Sequence, residues 1–543
     1  MGLSVMAGGY SESSGRTEIM RVVYDVTKPR RVRVPLVRLA FASFAAVCVL
    51  SCAPERGSLT SQMSQTATPY LTRAARQPVI WQKWSRETFT LAARLDRPIL
   101  LTIGAVNCRA CAAMDRETYA SGELGAMIDS LFVPVRVDRD ERPDIAQRYG
   151  IAVQVLTGLR GYPLTVFLTP EGSAFFGGTY FPPDDPVTGR GMKQILLDGA
   201  RSFRAQRSFI THQAALVRQL SLNRQIGAHG VLEPGSVASG VARVRLALAQ
   251  AVGRRRPLAS LVYEQAAALV LDAAARGSDS SERRAARGVL DLLADSGGVL
   301  APEGELDELP GVVRAGMARN LAVGWALLAD PRYRAAAHSL LASLAPALRG
   351  SDGTPEFADR AGYVIGSALE SAAAIGDSAA QRGALAALEG VLARHYAAGW
   401  GIRHAASEGD TTRALLGDQV QVASACLAAY NASREPRYLR VAVDLAEVLD
   451  RDFADSMGGY FDASRVDRAV PAWGDRTKPV WDDLLPGANA WAARVLLQLA
   501  DATGEPGYRR RAEATLEAFA GMAPSEDVAA STYLAVALAI LSP

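Results

Sequence analysis

Two cysteines, Cys108 and Cys111, stand almost side by side in the stretch "IGAVNCRACAAMDRETY". Thiols at this spacing can cycle between dithiol and disulfide, form a fixed crosslink, or supply half of a zinc site. The chain has five cysteines. Cys48 and Cys52 belong to an N-terminal apolar run, and Cys426 sits alone in an apolar helical stretch, where a thiol packs as a small hydrophobe. No second Cys or Cys/His pair is present to complete a zinc site, so no metal is expected. No cofactor is expected either, because the chain has no phosphate-cradling Gly-rich loop with Lys, no His-Glu-x-x-His and no calcium loop. The pair is left as a redox couple or a structural disulfide.

Several elements must position it. Residues 97–103, "RPILLTI", read as a short buried strand, and Cys108 then opens a helix. A thiolate there is stabilised by unpaired backbone N–H groups and the helix dipole. Cys111 lies one turn on, and Arg109 between the two adds positive charge that lowers a thiol pKa. Further strands are expected at 132–138, 163–169 and 174–181, with a helix around 143–149. Strands alternating with helices argue for an α/β sheet. The strand–Cys-x-x-Cys–helix order resembles the thioredoxin fold. That resemblance gives Tyr162 and Pro163 a role: a cis-proline before a strand lies against the cysteine pair, and its neighbour's backbone pairs with an extended substrate. Residues 53–211 hold no histidine, so no imidazole of this region can act as a base.

After about residue 185 strand signals almost vanish. A unit recurs at "DPRYRAAAHSLLASL" (from Asp330), "EPRYLRVAVDLAEVL" (from Glu435) and "EPGYRRRAEATLEAF" (from Glu505), each after an apolar helix. Helix, Pro-containing turn and Tyr-opened helix make an α-hairpin, which cannot bury its apolar face alone and must stack or close into a ring. Candidate pocket groups in this half are His404, Asp418, Asp482, Asp483 and Trp481. Trp400, Trp473 and Tyr460 either stack on a ligand or fill the interior. Acid–base chemistry on a sugar would need two such groups across a pocket.

The N-terminus carries a basic cluster (Lys28, Arg30, Arg31, Arg33, Arg38), an apolar run from Leu39 to Leu50, and Val49-Leu50-Ser51-Cys52. The run suits a signal-peptide core, and its end resembles a bacterial lipobox with Cys52 as the lipidated residue. An uncleaved anchor is the alternative. Either one places the remainder outside the cytoplasm, facing the periplasm of a bacterial envelope. Residues 1–51 hold seven basic and three acidic side chains, a net of +4 against +3 for the whole chain, so the remainder is near −1. That excludes a basic nucleic-acid binder. The 543 residues, 49% hydrophobic and 21% charged, suit two or three globular domains.

The stretches from Pro78 to Pro183, notably "VDRDERPD" and "GGTYFPP", resemble the spermatogenesis-associated protein 20 family, the YyaL-like thioredoxin-domain proteins. "MGGYFD" and "KPVWDDLLPGANAWAARVLLQLADATGEPGYRRRAE" extend the likeness toward the C-terminus more loosely. The resemblance implies an α/β thioredoxin-like domain followed by an all-α (α/α) toroid, similar to N-acylglucosamine 2-epimerases and six-hairpin glycosidases. Departures are specific. Arg109 and Ala112 stand where the family has histidines, Tyr162 where it has Trp, and residues 309–322 lack its His, Glu and Lys. The expected layout is a leader at 1–52, a tether at 53–77, a thioredoxin-like domain at 78–200, and a toroid at 201–543 with divergent first hairpins. The leading expectation is a thiol–disulfide oxidoreductase acting on protein thiols or disulfides. A carbohydrate-binding or carbohydrate-modifying toroid and a non-catalytic scaffold are the alternatives.

Overall fold

The cysteine pair stands at the end of a four-stranded sheet in the order β2-β1-β3-β4. The structure, a computed structural model, describes residues 59–542 except 67, 186–189, 226–227, 255–262, 278–279, 296–309, 350–356, 406–414, 465–475, 484 and 527. The expected leader with Cys52, the first residues of the tether, and Trp473 lie outside the described residues. Strand β1 (Ile99–Gly104) pairs parallel with β2 (Val133–Asp138) and antiparallel with β3 (Leu164–Leu168), which pairs antiparallel with β4 (Ala174–Gly178). Every residue of β1 and β2 is buried, as expected for strands covered on both faces.

Among the described residues seven helices cover this sheet: α1 (Pro69–Ala74), α2 (Arg86–Leu95), α3 (Arg109–Glu117), α4 (Gly122–Leu131), α5 (Pro143–Thr157), α6 (Met192–Ala205) and α7 (Arg207–Gln225). Side chains from α1, α3, α4 and α6 build the core on one face, and those of α2 and α5 on the other. Helix α7 packs on α5 and β4. Two boundaries are thereby corrected. Tyr70, Leu71 and Ala74 of α1 are buried in the domain core, so residues 69–74 are not tether. At the other end, α6 and α7 belong to the sheet domain, which runs to about residue 225 instead of 200. Ser, Thr and Gln around α1 hide its three apolar anchors from a composition-based reading.

The second half alternates outer and inner helices: α8 (Pro234–Arg254), α9 (Tyr263–Arg276), α10 (Ser280–Asp295), α11 (Pro310–Leu328), α12 (Pro331–Ser343), α13 (Ala358–Ile375), α14 (Ser378–His395), α15 (Leu416–Ser433), α16 (Pro436–Val448), α17 (Ala488–Thr503), α18 (Pro506–Glu517) and α19 (Ser531–Leu541). Each of α9, α11, α13, α15, α17 and α19 packs on the next, and α19 returns to α9, which closes a ring. The even-numbered helices pack outside it. Helix α15 is buried on nearly all sides, as an inner helix must be. The repeated Tyr explains itself here. Tyr333 donates to Asp291 of the preceding outer helix at 2.7 Å, and Tyr438 donates to Glu389 of its own predecessor at 2.6 Å. In these two copies the repeat ties an outer helix to its predecessor. Asp330 caps α12, and Pro331, Pro436 and Pro506 occupy first turns, where a missing N–H is harmless. The chain is a thioredoxin-like domain followed by an (α/α) toroid.

Candidate functional site

Cys108 is the N-cap of α3, and its Sγ accepts the backbone N–H of Cys111 at 3.1 Å. The two sulfurs are joined in a disulfide, and both cysteines are buried. Gly104, the last residue of β1, packs directly beneath: a Cβ there would lie 2.9 Å from Cys111 Sγ and closer still to the Tyr70 hydroxyl. Tyr70 also supports Arg136, whose guanidinium lies 4.1 Å from its ring centroid. Arg136 is fully buried, with Trp81 and Tyr119 also around it, and binds both oxygens of Asp115 at 2.8 Å. This ion pair, with one guanidinium nitrogen shared between both carboxylate oxygens, fixes α3 to β2. The helix carrying the cysteines therefore cannot shift without breaking a buried ion pair.

The Tyr162–Pro163 peptide is cis and leads into β3, beside β1. The Arg139 guanidinium stacks 4.7 Å from the Tyr162 ring centroid. Arg109, Ala110 and Tyr162 line a cleft of about 930 Å³ between the two domains. The far wall is the toroid mouth: Asp359, Leu416, Gly417 and Ala488 at the N-terminal ends of α13, α15 and α17, with Trp481, Asp482 and Asp483. The cysteine edge of one domain thus faces the opening of the other.

The five expected pocket groups of the toroid divide. Trp481, Asp482 and Asp483 line the cleft. Asp482 is buried and accepts the N–H groups of Gly487 and Thr532 at 2.9 and 2.8 Å, so it also braces a loop. Burial pushes its carboxyl up to about 7, against the lowering effect of those bonds. His404 and Asp418 are not pocket residues, which corrects the expectation. His404 Nδ1 meets Asp418 Oδ1 at 2.9 Å, and its Nε2 meets the carbonyl oxygen of Asp140 at 2.9 Å. Where the Asp418 carboxyl is ionised, both partners are acceptors, so both ring nitrogens carry hydrogen and the ring is an imidazolium. Burial alone would lower its pKa. The carboxylates of Asp418 and Asp359 and the two hydrogen bonds outweigh burial and lift it to about 10. Asp359, His404 and Asp418 bring one ligand-type atom each within 4.8 Å. His404 stacks on Phe357 and acts as a latch between domains.

The latch has a neighbour that sequence reasoning missed. Arg360 of α13 pairs with the Asp140 carboxylate, which also takes Arg139 Nε at 3.0 Å. Burial raises the Asp140 pKa, but the two arginines more than reverse this and hold it at about 2. "DRDERPD" contains the signal for Asp140, yet nothing in it points to a partner more than two hundred residues away. Of the aromatics, Tyr460 is buried with its hydroxyl toward Asp450, while Trp400 is 72% exposed and fills no interior.

Residues 60–221 match a family model described as Thioredox_DsbH, protein of unknown function, DUF255. This segment is similar to the DsbH-type thioredoxin-like domains. Human spermatogenesis-associated protein 20 is 38% identical over 147 residues, 27% of this chain and 18% of that protein. The rat protein of the same name is 37% identical over 148 residues, 27% of this chain and 19% of its own length. The match thus spans about a fifth of these relatives. A heparin-specific unsaturated glucuronyl hydrolase structure superposes with a TM-score of 0.44 at 11% identity, covering 57% of this chain and 97% of that one. The DsbH-type match runs through α6 and most of α7, in accord with the corrected boundary. Among the described residues no helix is long and apolar enough to cross a membrane.

Proposed function

We propose that the chain is an envelope-tethered thiol–disulfide oxidoreductase, held to the membrane through lipidated Cys52 or an uncleaved anchor. In the reductive direction the Cys108 thiolate attacks a substrate disulfide. One substrate sulfur leaves as a thiolate, and a mixed disulfide forms. The Cys111 thiolate then attacks Cys108 Sγ, which releases the second substrate thiol and leaves the pair oxidised. A dithiol partner restores the pair by the same steps in reverse. The observation that carries this reading is the Cys108–Cys111 disulfide at a helix N-terminus just after β1, with the cis Tyr162–Pro163 peptide leading into the neighbouring strand β3. Arg109, exposed at the cleft, favours the thiolate. Neither Arg109 nor Ala112 can play the part of the family's histidines in proton transfer, so proton transfer falls to solvent in the cleft. The test is incubation of the reduced Cys111→Ser variant with envelope extract: a mixed disulfide on Cys108 supports the reading, and its absence opposes it.

A second reading draws on the same cleft. Its toroid side carries Trp481 with Asp482 and Asp483, an aromatic face beside two carboxyls, which suits a sugar ring. Saturable oligosaccharide binding lost in Trp481→Ala would support it, and binding untouched by that change would exclude this site.

A further inference from the structure

A second cavity, of about 430 Å³, lies inside the toroid between α9, α17 and α19. Its rim includes Arg276, Asp501 and Ser542 at the C-terminal ends of those helices. The interdomain cleft is lined by Ala488 at the opposite end of α17, and the two cavities share no lining residue. Arg319 of α11 lines the inner cavity and is only 6% exposed. Among the described residues its guanidinium has no hydrogen bond and no ion pair. It lies 5.4 Å from the Trp491 ring centroid and 5.6 Å from that of Tyr363. The carboxyls of Glu370, Asp272 and Glu264 act on it only through space. Glu370 is already engaged by Arg494 at 3.1 Å. Burial pushes the Glu264 carboxyl up to about 8, which leaves it uncharged at neutral pH, and also raises that of Asp272. A buried guanidinium without acceptors is unfavourable unless something supplies them. Four more groups are unsatisfied at the cavity wall: the Oε1 atoms of Gln265 and Gln498 lack a donor, and Trp491 Nε1 and Arg494 Nε lack an acceptor.

We propose that this cavity binds a small carboxylate carrying several hydroxyl groups, a sugar acid by chemical class, with Arg319 as the carboxylate anchor. The planar guanidinium fork matches a carboxylate with two parallel hydrogen bonds. Hydroxyl groups supply the donors that Gln265 and Gln498 lack. Trp491 offers an apolar face for the carbon skeleton, and the volume lies at the small-molecule end of ligand sites. A phosphate would bring more negative charge against Asp272 and Asp501 and no hydroxyl to spare for the amides. The site does not depend on the cysteine chemistry, so Cys108→Ser leaves it intact.

The test is calorimetric titration of the full chain with D-glucuronate, D-glucose and inorganic phosphate, on wild type, Arg319→Met and Arg319→Lys. Glucuronate binds wild type, and glucose binds at least tenfold more weakly. Arg319→Lys keeps the charge but loses the fork and weakens glucuronate at least tenfold, while Arg319→Met abolishes binding. Ligand-free Arg319→Met loses only the ring contacts to Trp491 and Tyr363 and melts close to wild type, because no hydrogen bond or ion pair is lost. No glucuronate binding by wild type, equal binding of phosphate, unchanged binding in Arg319→Lys, or a large loss of stability in ligand-free Arg319→Met would each overturn the proposal.

Discussion

His404 of the toroid donates to the carbonyl oxygen of Asp140 in the thioredoxin-like domain at 2.9 Å, while its other nitrogen donates to Asp418. One protonated ring thus joins two domains. Removing it leaves the Asp418 carboxylate buried and uncompensated, so His404→Ala should cost about 3–5 kcal/mol. The double variant with Asp418→Asn should cost less than the sum of the two single changes, as a double-mutant cycle on thermal melts would show.

The same latch predicts a pH profile. The folded pKa of His404, about 10, lies above its ordinary 6.5. Its contribution is therefore fully present below about pH 6.5 and is lost as pH rises toward 10. The difference in melting temperature between wild type and His404→Gln should be largest at pH 5–6 and shrink steadily to pH 10. A difference that grows with pH would contradict the imidazolium.

Asp140 gives the acid limb. Its folded pKa of about 2 lies below the ordinary 3.8, so its contribution is present above pH 4 and is lost as pH falls toward 2. Arg360→Ala removes the partner from the toroid side. The variant should separate its domains at a higher pH than wild type, and limited proteolysis between α7 and α8 from pH 5 to 2 would follow this.

Gly104 predicts a packing rescue. Gly104→Ala drives a methyl group into the Tyr70 hydroxyl and to 2.9 Å from Cys111 Sγ, and should cost about 1–3 kcal/mol. Tyr70→Phe removes the nearest obstructing atom. Combined with Gly104→Ala it should lose less stability than the two single changes summed, in denaturant melts of the oxidised protein.

Local arrangement was the readable part of this sequence. Cys108, Cys111, Tyr162 and Pro163 stand out because their roles depend on a strand, a turn and a helix start, each marked within a few residues. The α-hairpins were readable from their repeated Pro-x-Tyr turn for the same reason, while their closure into a toroid came from the family resemblance. His404 was singled out, yet its role was mistaken, because only the docked domains reveal that its second acceptor is a backbone carbonyl of Asp140. Arg360 and Arg319 gave no signal at all. Each is one arginine in an ordinary helical pattern, and its meaning comes from what the tertiary fold does or does not place against it.

The most direct test is a redox titration of the full chain, with the Cys108–Cys111 state read by thiol alkylation and mass spectrometry. A reversible two-electron transition is expected, together with an upward shift in the pH midpoint of Cys108 alkylation in Arg109→Glu and a Cys108 mixed disulfide trapped in Cys111→Ser. A pair that stays oxidised at every potential that reduces ordinary catalytic disulfides, with no trapped partner, would make the disulfide structural and contradict the proposed activity.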